Sequence, residues 1–415
     1  MKDITTSFVV RVLTLIIGAL SNFFIATLLI RNFGYEGYAL YVVLSSLPSL
    51  IPFADFGLGS IIFNFFADKS EGRTPQNILT EVFLLSCLLS IFLILIFTLI
   101  VLGLSNYSGD FFAIPNHYLF SGLAIISITL FSVPFSLAAK KMFAEERISR
   151  VFFIQGLIPP ITASLVFLFS RDVTQSLGLL VFIPSVTYLI TTLAVFKISG
   201  FIKFFSITDW RKFRNSIRKS LTLGGWSLCL TTVIALVWQM PKYLIQMFGT
   251  PLEMTTYSLM SLFLIPGLSL TAVSATWHTT NVRRRDFDAD VASMTARSIR
   301  VSLIASVLFS VASFIGFQIL SRAGLATPDY RSQLLAFIAL ISSPTWMIPL
   351  SSLTSSIDLR WISLRILPCF VVSGFMLSVL LNIDYTFALI TYLLIFSSSA
   401  WYFANKRIQN LKDLQ

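Results

Sequence analysis

Three charged residues are the clearest cases of charge inside the long apolar runs of the chain: Arg11, Asp55 and Lys242. A charge at bilayer depth is costly unless it faces a wet cleft or a partner, so each is a candidate for binding chemistry. The long side chains of Arg11 and Lys242 could also snorkel to lipid headgroups. The short side chain of Asp55 could instead pair with a cation, cap a broken helix near Phe56-Gly57, or take up a proton.

The elements that must position these residues are membrane helices. Of 415 residues, 56% are hydrophobic and only 12% are charged, with a mean hydropathy of +0.83. Ordinary globular chains carry about 25% charged residues. This composition excludes a soluble domain, a disordered chain and a nucleic-acid partner. With two isolated histidines, His117 and His278, and no cysteine cluster, the sequence predicts no metal site and no cofactor.

A helix needs about 20 apolar residues to cross the hydrocarbon. Runs of that length predict twelve spans, at residues 8–30, 38–64, 78–104, 117–139, 151–170, 176–198, 221–247, 255–280, 298–320, 332–355, 363–382 and 386–404.

Lys and Arg residues fall mainly in alternate loops, which fixes the predicted orientation. One set of loops includes Lys140, Lys141, Arg211, Arg283 and Arg360. The other set holds little beyond Arg31, Arg171, Arg322 and Arg331. The asymmetry predicts a multi-pass membrane protein with both termini in the cytoplasm.

The two halves of the chain echo each other. Leu29–Gly34 returns as Leu244–Gly249, displaced by 215 positions, and Val133-Pro134 returns as Ile348-Pro349 at the same displacement. Leu50-Ile51-Pro52 returns as Leu264-Ile265-Pro266, one residue out of step. The paired prolines favour paired bends in corresponding helices.

Because six helices return the chain to the side where it began, such a duplication gives a parallel repeat. The predicted fold is therefore an all-α integral membrane protein of about twelve transmembrane helices, in two parallel-repeat six-helix bundles around a central cleft. Residues 1–198 form the first lobe and residues 221–415 the second. Residues 199–220 form a basic amphipathic cytoplasmic linker, which is either a simple tether or a shelf for anionic headgroups.

Enzyme chemistry is poorly represented in the sequence. It contains no phosphate-cradling glycine loop, no zinc-protease signature and no nucleophile elbow. The predicted external loops are too short to house a large reaction centre. A membrane enzyme of envelope polysaccharide assembly is therefore only a second alternative.

The first two predicted helices carry a recognisable pattern. Arg31-x-x-Gly34-x-x-Gly37-Tyr38, followed by Asp55-Phe56-Gly57-Leu58-Gly59, resembles the start of the polysaccharide repeat-unit flippases, such as those for O-antigen or capsule. These belong to the multidrug, oligosaccharidyl-lipid and polysaccharide exporter superfamily. The predicted length and topology extend the resemblance over nearly the whole chain.

The resemblance implies a flippase of the cell inner membrane that carries undecaprenyl-diphosphate-linked oligosaccharide from the cytoplasmic to the periplasmic leaflet by alternating access. It implies that Arg11 and Lys242 bind the headgroup, and it adds Arg31 and Asp55 as substrate-binding candidates. It also implies a polysaccharide polymerase and a chain-length regulator as partners, with membrane lipid around the protein. Whether a proton or a sodium ion drives the cycle stays open. The leading alternative is a cation-coupled drug or metabolite antiporter of the same superfamily, which should have buried acidic residues; Asp55 is the only clear one in the sequence.

Overall fold

The computed structural model describes residues 2–47, 58–59, 61–62, 75–104, 118–145, 147–170, 177–201, 233, 236–237, 239–259, 261, 271, 291–322, 330–354, 359–381 and 384–413. Within these ranges the chain forms helices and turns, and none of these residues lies in a β-strand. The predicted all-α membrane fold is confirmed.

Eleven helices are delimited in the described part of the chain. They are α1 (Lys2–Ser46), α2 (Pro75–Leu104), α3 (Leu119–Ala144), α4 (Ile148–Gly156), α5 (Ile158–Phe169), α6 (Leu177–Leu180), α7 (Ile183–Ile198), α8 (Val291–Arg322), α9 (Tyr330–Thr354), α10 (Leu359–Leu380) and α11 (Tyr385–Asp413). Residues 239–248 and 251–259 are helical as well.

Eight stretches of described helix are long and apolar enough to cross a membrane. Their side chains face outward to a large extent: only 17% of the most apolar part of Leu79–Gly103 is buried, and only 13% of that part of Thr295–Gly316. Exposed apolar surface on this scale requires lipid around it. The two closely spaced pairs separate as predicted, into Ile148–Phe169 with Leu177–Ile198 and Ser363–Leu380 with Thr386–Arg407. The predicted spans 38–64, 221–247 and 255–280 lie partly outside the described residues.

Helix α1 contains a break at Gly34, whose backbone angles are φ 72° and ψ −175°. That region of conformational space is essentially reserved for glycine, because it has no Cβ. The predicted first span therefore continues as helix to Phe33, and a new helical stretch starts at Tyr35. The short predicted loop after residue 30 is reduced to this single non-helical residue.

The chain divides into two compact units. The first comprises Met1–Phe33 and Leu40–Ala235, and the second comprises Gly34–Ala39 and Leu236–Gln415. Nearly all of the predicted linker, from residue 202 onward, lies outside the described residues, so its amphipathic helix stays a prediction.

In the first unit, α3 packs against α2 and α7, and α7 also packs against α5. Aromatic rings fill this core: Phe196 lies 5.2 Å edge-on from Phe135 and 5.7 Å from Phe83, measured between centroids. Such ring pairs contribute about 1 kcal/mol each beyond the area that they bury. At the end of α3 the buried Lys141 ammonium donates to the Ser199 carbonyl at 2.9 Å and lies 3.2 Å from the Glu145 carboxylate. Lys141 thereby ties the end of α3 to the end of α7.

In the second unit, α9 packs against α8 and α11, and α11 packs against α10. Trp346 and Phe396 meet edge to face at 5.1 Å in its core. Pro344 lies inside α9 and cannot donate to the carbonyl of Leu340, four residues earlier. The Ser343 hydroxyl donates to that carbonyl at 3.1 Å, so the helix continues through the proline.

The sequence echoes fall on matching structural features. Gly34 and Gly249 each end one helical stretch just before another begins. Pro134 and Pro349 are both buried within long helices, α3 and α9. The third echo, at residues 50–52 and 264–266, lies outside the described residues.

Candidate functional site

Arg11 lies on α1 in the first unit, where its side chain is partly buried. Its guanidinium carbon is 4.8 Å from the centroid of the Phe152 ring, on α4. A cation placed over an aromatic face gains about 1 kcal/mol. The buried Nε atom of Arg11 has no hydrogen-bond partner among the described residues. Arg11 therefore has donor capacity left for an anionic group.

Small residues allow α1 to approach α4 and α5 closely enough for Arg11 to contact the Phe152 ring. Arg11, Thr14 and Gly18 follow one another at helical spacing on α1. They meet Phe152 and Gly156 of α4 and Pro159 of α5, which are also three or four residues apart. A Cβ on Gly156 would collide with the Thr14 side chain, and a Cβ on Gly18 would lie 3.4 Å from Pro159. The close approach of the backbones positions Arg11 over the ring.

Lys242 lies in the second unit, in the helical segment 239–248. It is only 7% exposed, and no described residue offers its ammonium a hydrogen bond or an ion pair. Its helix is held by a bond of 3.1 Å from the Tyr392 hydroxyl of α11 to the Val237 carbonyl. A buried ammonium without a counter-charge is a site that an anion would stabilise.

Gln239 is a polar neighbour that the sequence analysis did not single out. It precedes Lys242 by three residues, so both side chains leave the helix on one face. The Gln239 Oε1 atom is buried without a hydrogen-bond partner in the described structure. An amide in the middle of an apolar run was the available sequence signal. Together Gln239 and Lys242 offer a polar group and a positive charge to one ligand.

Glu81 is a second residue that sequence reasoning missed. It lies near the start of α2 and is only 8% exposed, with no ion pair in the described part of the chain. Its position near the edge of the predicted span 78–104 made it resemble a loop residue. Sequence reasoning named Asp55 as the only clear buried acid and overlooked Glu81, which is buried in the structure.

The other two candidates are placed differently. Arg31 is exposed on α1, three residues before the break at Gly34, and no described group pairs with it. Asp55 lies outside the described residues. In the described ranges, no group of three or more His, Cys, Asp or Glu side chains could hold a metal ion.

No protein-family model matches the chain, and no curated protein matches it. Solved structures do match over nearly the full length. A multidrug resistance MATE family transporter of the MOP superfamily, in an outward-facing conformation, superimposes with a TM-score of 0.68 at 12% identity, covering 99% of this chain and 96% of that one. The fold is the MATE fold.

Two further structures share the MATE fold with this chain. The MATE multidrug transporter DinF-BH matches with a TM-score of 0.66 at 15% identity, covering 99% and 95% of the two chains. A MOP superfamily transporter from Pyrococcus furiosus matches with a TM-score of 0.65 at 12% identity, covering 99% and 96%. Reverse polarity of the binding pocket in that protein suggests a different function for it. These neighbours are transporters, not enzymes.

Proposed function

We propose that this chain is a membrane transporter that works by alternating access and carries a substrate with an anionic headgroup. The observation that carries the proposal is Lys242, a buried ammonium with no partner among the described residues. Arg11 adds a second partly buried cation with an unpartnered Nε atom. The MATE fold supports the transport part, since a solved member is in an outward-facing conformation.

The substrate that best fits is an undecaprenyl-diphosphate-linked oligosaccharide. Its diphosphate matches the positive charge of Lys242, and the neighbouring Gln239 amide suits sugar hydroxyls. Such a headgroup cannot cross hydrocarbon alone, because each unpaired polar group costs several kcal/mol. The polyprenyl tail can stay in lipid, so a transporter needs to enclose only the head.

The polarity of this candidate site has a parallel among the matching structures. The Pyrococcus furiosus protein has a binding pocket of reverse polarity on the same fold. The MATE fold therefore does not require a pocket of one charge. Buried cations in this chain suit an anionic substrate better than a cationic drug.

Cells lacking this protein provide the test. The measurement is the membrane face on which a labelled lipid-linked repeat unit accumulates. The same cells are then complemented with the wild-type protein, with Lys242→Ala, with Arg11→Ala or with the exposed control Lys197→Ala. We expect cytoplasmic accumulation that wild type and Lys197→Ala relieve, and that Lys242→Ala relieves least. Normal arrival of the unit at the outer face without the protein would refute the flippase.

A cation-coupled drug antiporter is the second candidate. The matching structures favour it over the flippase, because two of them are named as multidrug transporters. The buried Glu81 carboxylate also provides the kind of group that could take up a proton or bind a cation. Efflux of a cationic fluorescent dye by wild type that Glu81→Gln abolishes, together with normal lipid-linked transport in cells lacking the protein, would establish the antiporter.

A further inference from the structure

We infer that the adjoining ends of α10 and α11 form a binding site for the phosphate headgroup of an anionic phospholipid. The headgroup site consists of Trp361, Arg365, Tyr402, Lys406 and Arg407. It lies within the second unit and is independent of the residues that carry the proposed transport function. Its ligand would be a resident lipid and not the transported substrate.

Two arginines from two helices meet on one indole ring. The Arg365 guanidinium carbon lies 3.7 Å from the centroid of the Trp361 ring, and the Arg407 guanidinium carbon lies 5.4 Å from the same centroid. The packing of α10 against α11 makes this possible. A guanidinium that stacks on an aromatic ring presents its N–H edges away from the ring, where they can donate to phosphate oxygens.

Arg365 retains most of its donor capacity. A guanidinium has five N–H donors, and the only acceptor that the described residues offer Arg365 is the Trp361 carbonyl, at 3.4 Å. The side chain is exposed. One helical turn separates Tyr402 and Lys406 on α11, where the exposed ammonium lies 5.7 Å from the exposed ring. The site thus gathers positive charge around aromatic rings that orient it.

The depth of the site favours a lipid ligand. The headgroup site lies where the apolar span Ser363–Leu380 starts and where the apolar span Thr386–Arg407 ends. This position places the site at the membrane boundary. Aromatic and basic residues concentrate at that level because they suit both headgroups and water. On the predicted cytoplasmic side, each basic residue near an anionic surface gains about 1 kcal/mol.

The surface below the arginines suits acyl chains. Val372 and Phe375 follow Trp361 and Arg365 at helical spacing, so they continue the same face of α10 toward the bilayer centre. Val372 is 56% exposed and Phe375 is 67% exposed. A phosphate held by Arg365 would leave its acyl chains against this apolar stripe. A free phosphate ion would gain nothing from it.

Native mass spectrometry of the full-length protein tests the inference. The protein is equilibrated with equal amounts of phosphatidylglycerol and phosphatidylcholine that carry the same acyl chains, and the ratio of bound lipids is measured. Arg365→Gln should lower the preference for phosphatidylglycerol about fivefold, which corresponds to about 1 kcal/mol. Arg300→Gln is the matched control, because Arg300 is exposed on α8 and no ring contact is described for it.

Two further measurements, with the variant Arg365→Lys and with inorganic phosphate as a competitor, test which chemistry binds the lipid. Arg365→Lys keeps the charge but loses the stacked, forked donor, so it should lose most of the preference as well. Equal effects of Arg365→Gln and Arg300→Gln, or full retention by Arg365→Lys, would overturn the site in favour of general surface charge. Displacement of the bound lipid by inorganic phosphate would overturn the lipid assignment in favour of a soluble phosphate.

Discussion

At the scale of single residues, we expect the Lys242 ammonium to lower the stability of the protein and to be required for transport. No described residue pairs with this buried ammonium, and an ammonium buried in a membrane helix without a partner costs about 3 kcal/mol relative to an apolar side chain. We expect Lys242→Met to raise the Tm of the purified protein in detergent and to abolish transport of the anionic substrate. The exposed Lys197→Met should change neither quantity appreciably. Loss of Tm in Lys242→Met would mean that the ammonium has a partner in the native protein.

Lys141 should stabilise the protein, in contrast to Lys242, because its buried ammonium has two partners in the structure. Lys141→Met removes the bond to the Ser199 carbonyl at the end of α7 and the ion pair with Glu145 at the end of α3. We expect a loss of about 1–3 kcal/mol in the free energy of unfolding. The neighbouring Lys140 is exposed, so Lys140→Met should have little effect. Thermal unfolding of the two variants side by side gives the comparison.

At the scale of the helices, the break in α1 depends on one backbone conformation. A Cβ on Gly34 would have open space around it, so only its positive φ opposes substitution. We expect Gly34→Ala to cost about 1–3 kcal/mol. Gly103 also has open space and is helical without a positive φ, so Gly103→Ala should be neutral or slightly stabilising. Unfolding in detergent measures both, and equal Tm values would contradict the strain.

The helical segment 251–259 begins with a reciprocal cap. The Thr250 backbone N–H donates to the Glu253 carboxylate at 2.7 Å, and the Glu253 N–H donates to the Thr250 hydroxyl at 3.3 Å. We expect Thr250→Ala to cost about 1 kcal/mol of stability and Thr250→Asp to restore most of it. A scan of Tm across the three proteins tests this. No difference between Thr250→Ala and Thr250→Asp would show that the cap contributes little.

Sequence reasoning was most successful where one physical force dominates. Apolar length alone located α2, α3, α8 and α11, because only lipid accommodates such runs. It did not locate the start of the second helical stretch at Tyr35, since a positive φ at Gly34 leaves no trace in composition. Burial of Glu81 and of the Gln239 Oε1 atom was also unpredictable, because it depends on which face each helix turns inward. The Thr250-Pro251-Leu252-Glu253 cap has the sequence pattern of a capping box, which the sequence analysis did not use.

At the scale of the whole molecule, the charge asymmetry predicts which loops face which side. In a variant without the native cysteines, Arg31→Cys should react from outside the cell with a membrane-impermeant maleimide. Arg147→Cys should react only after permeabilisation, since it follows the basic loop that begins at Lys140. Both positions are accessible in the structure. Labelling of both residues from the same side would overturn the predicted topology.

Gly34 and Gly249 end the repeated stretches Leu29–Gly34 and Leu244–Gly249, and two different structural constraints require glycine there. Gly34 is required by its backbone angle, whereas a Cβ on Gly249 would lie 2.8 Å from the Ile245 carbonyl and 2.9 Å from the Glu253 carboxylate. After a duplication, each copy would have been kept at glycine by its own local selection. Identity at this pair therefore does not measure how recently the halves diverged. It explains instead why this echo stays readable in a chain whose halves otherwise differ widely.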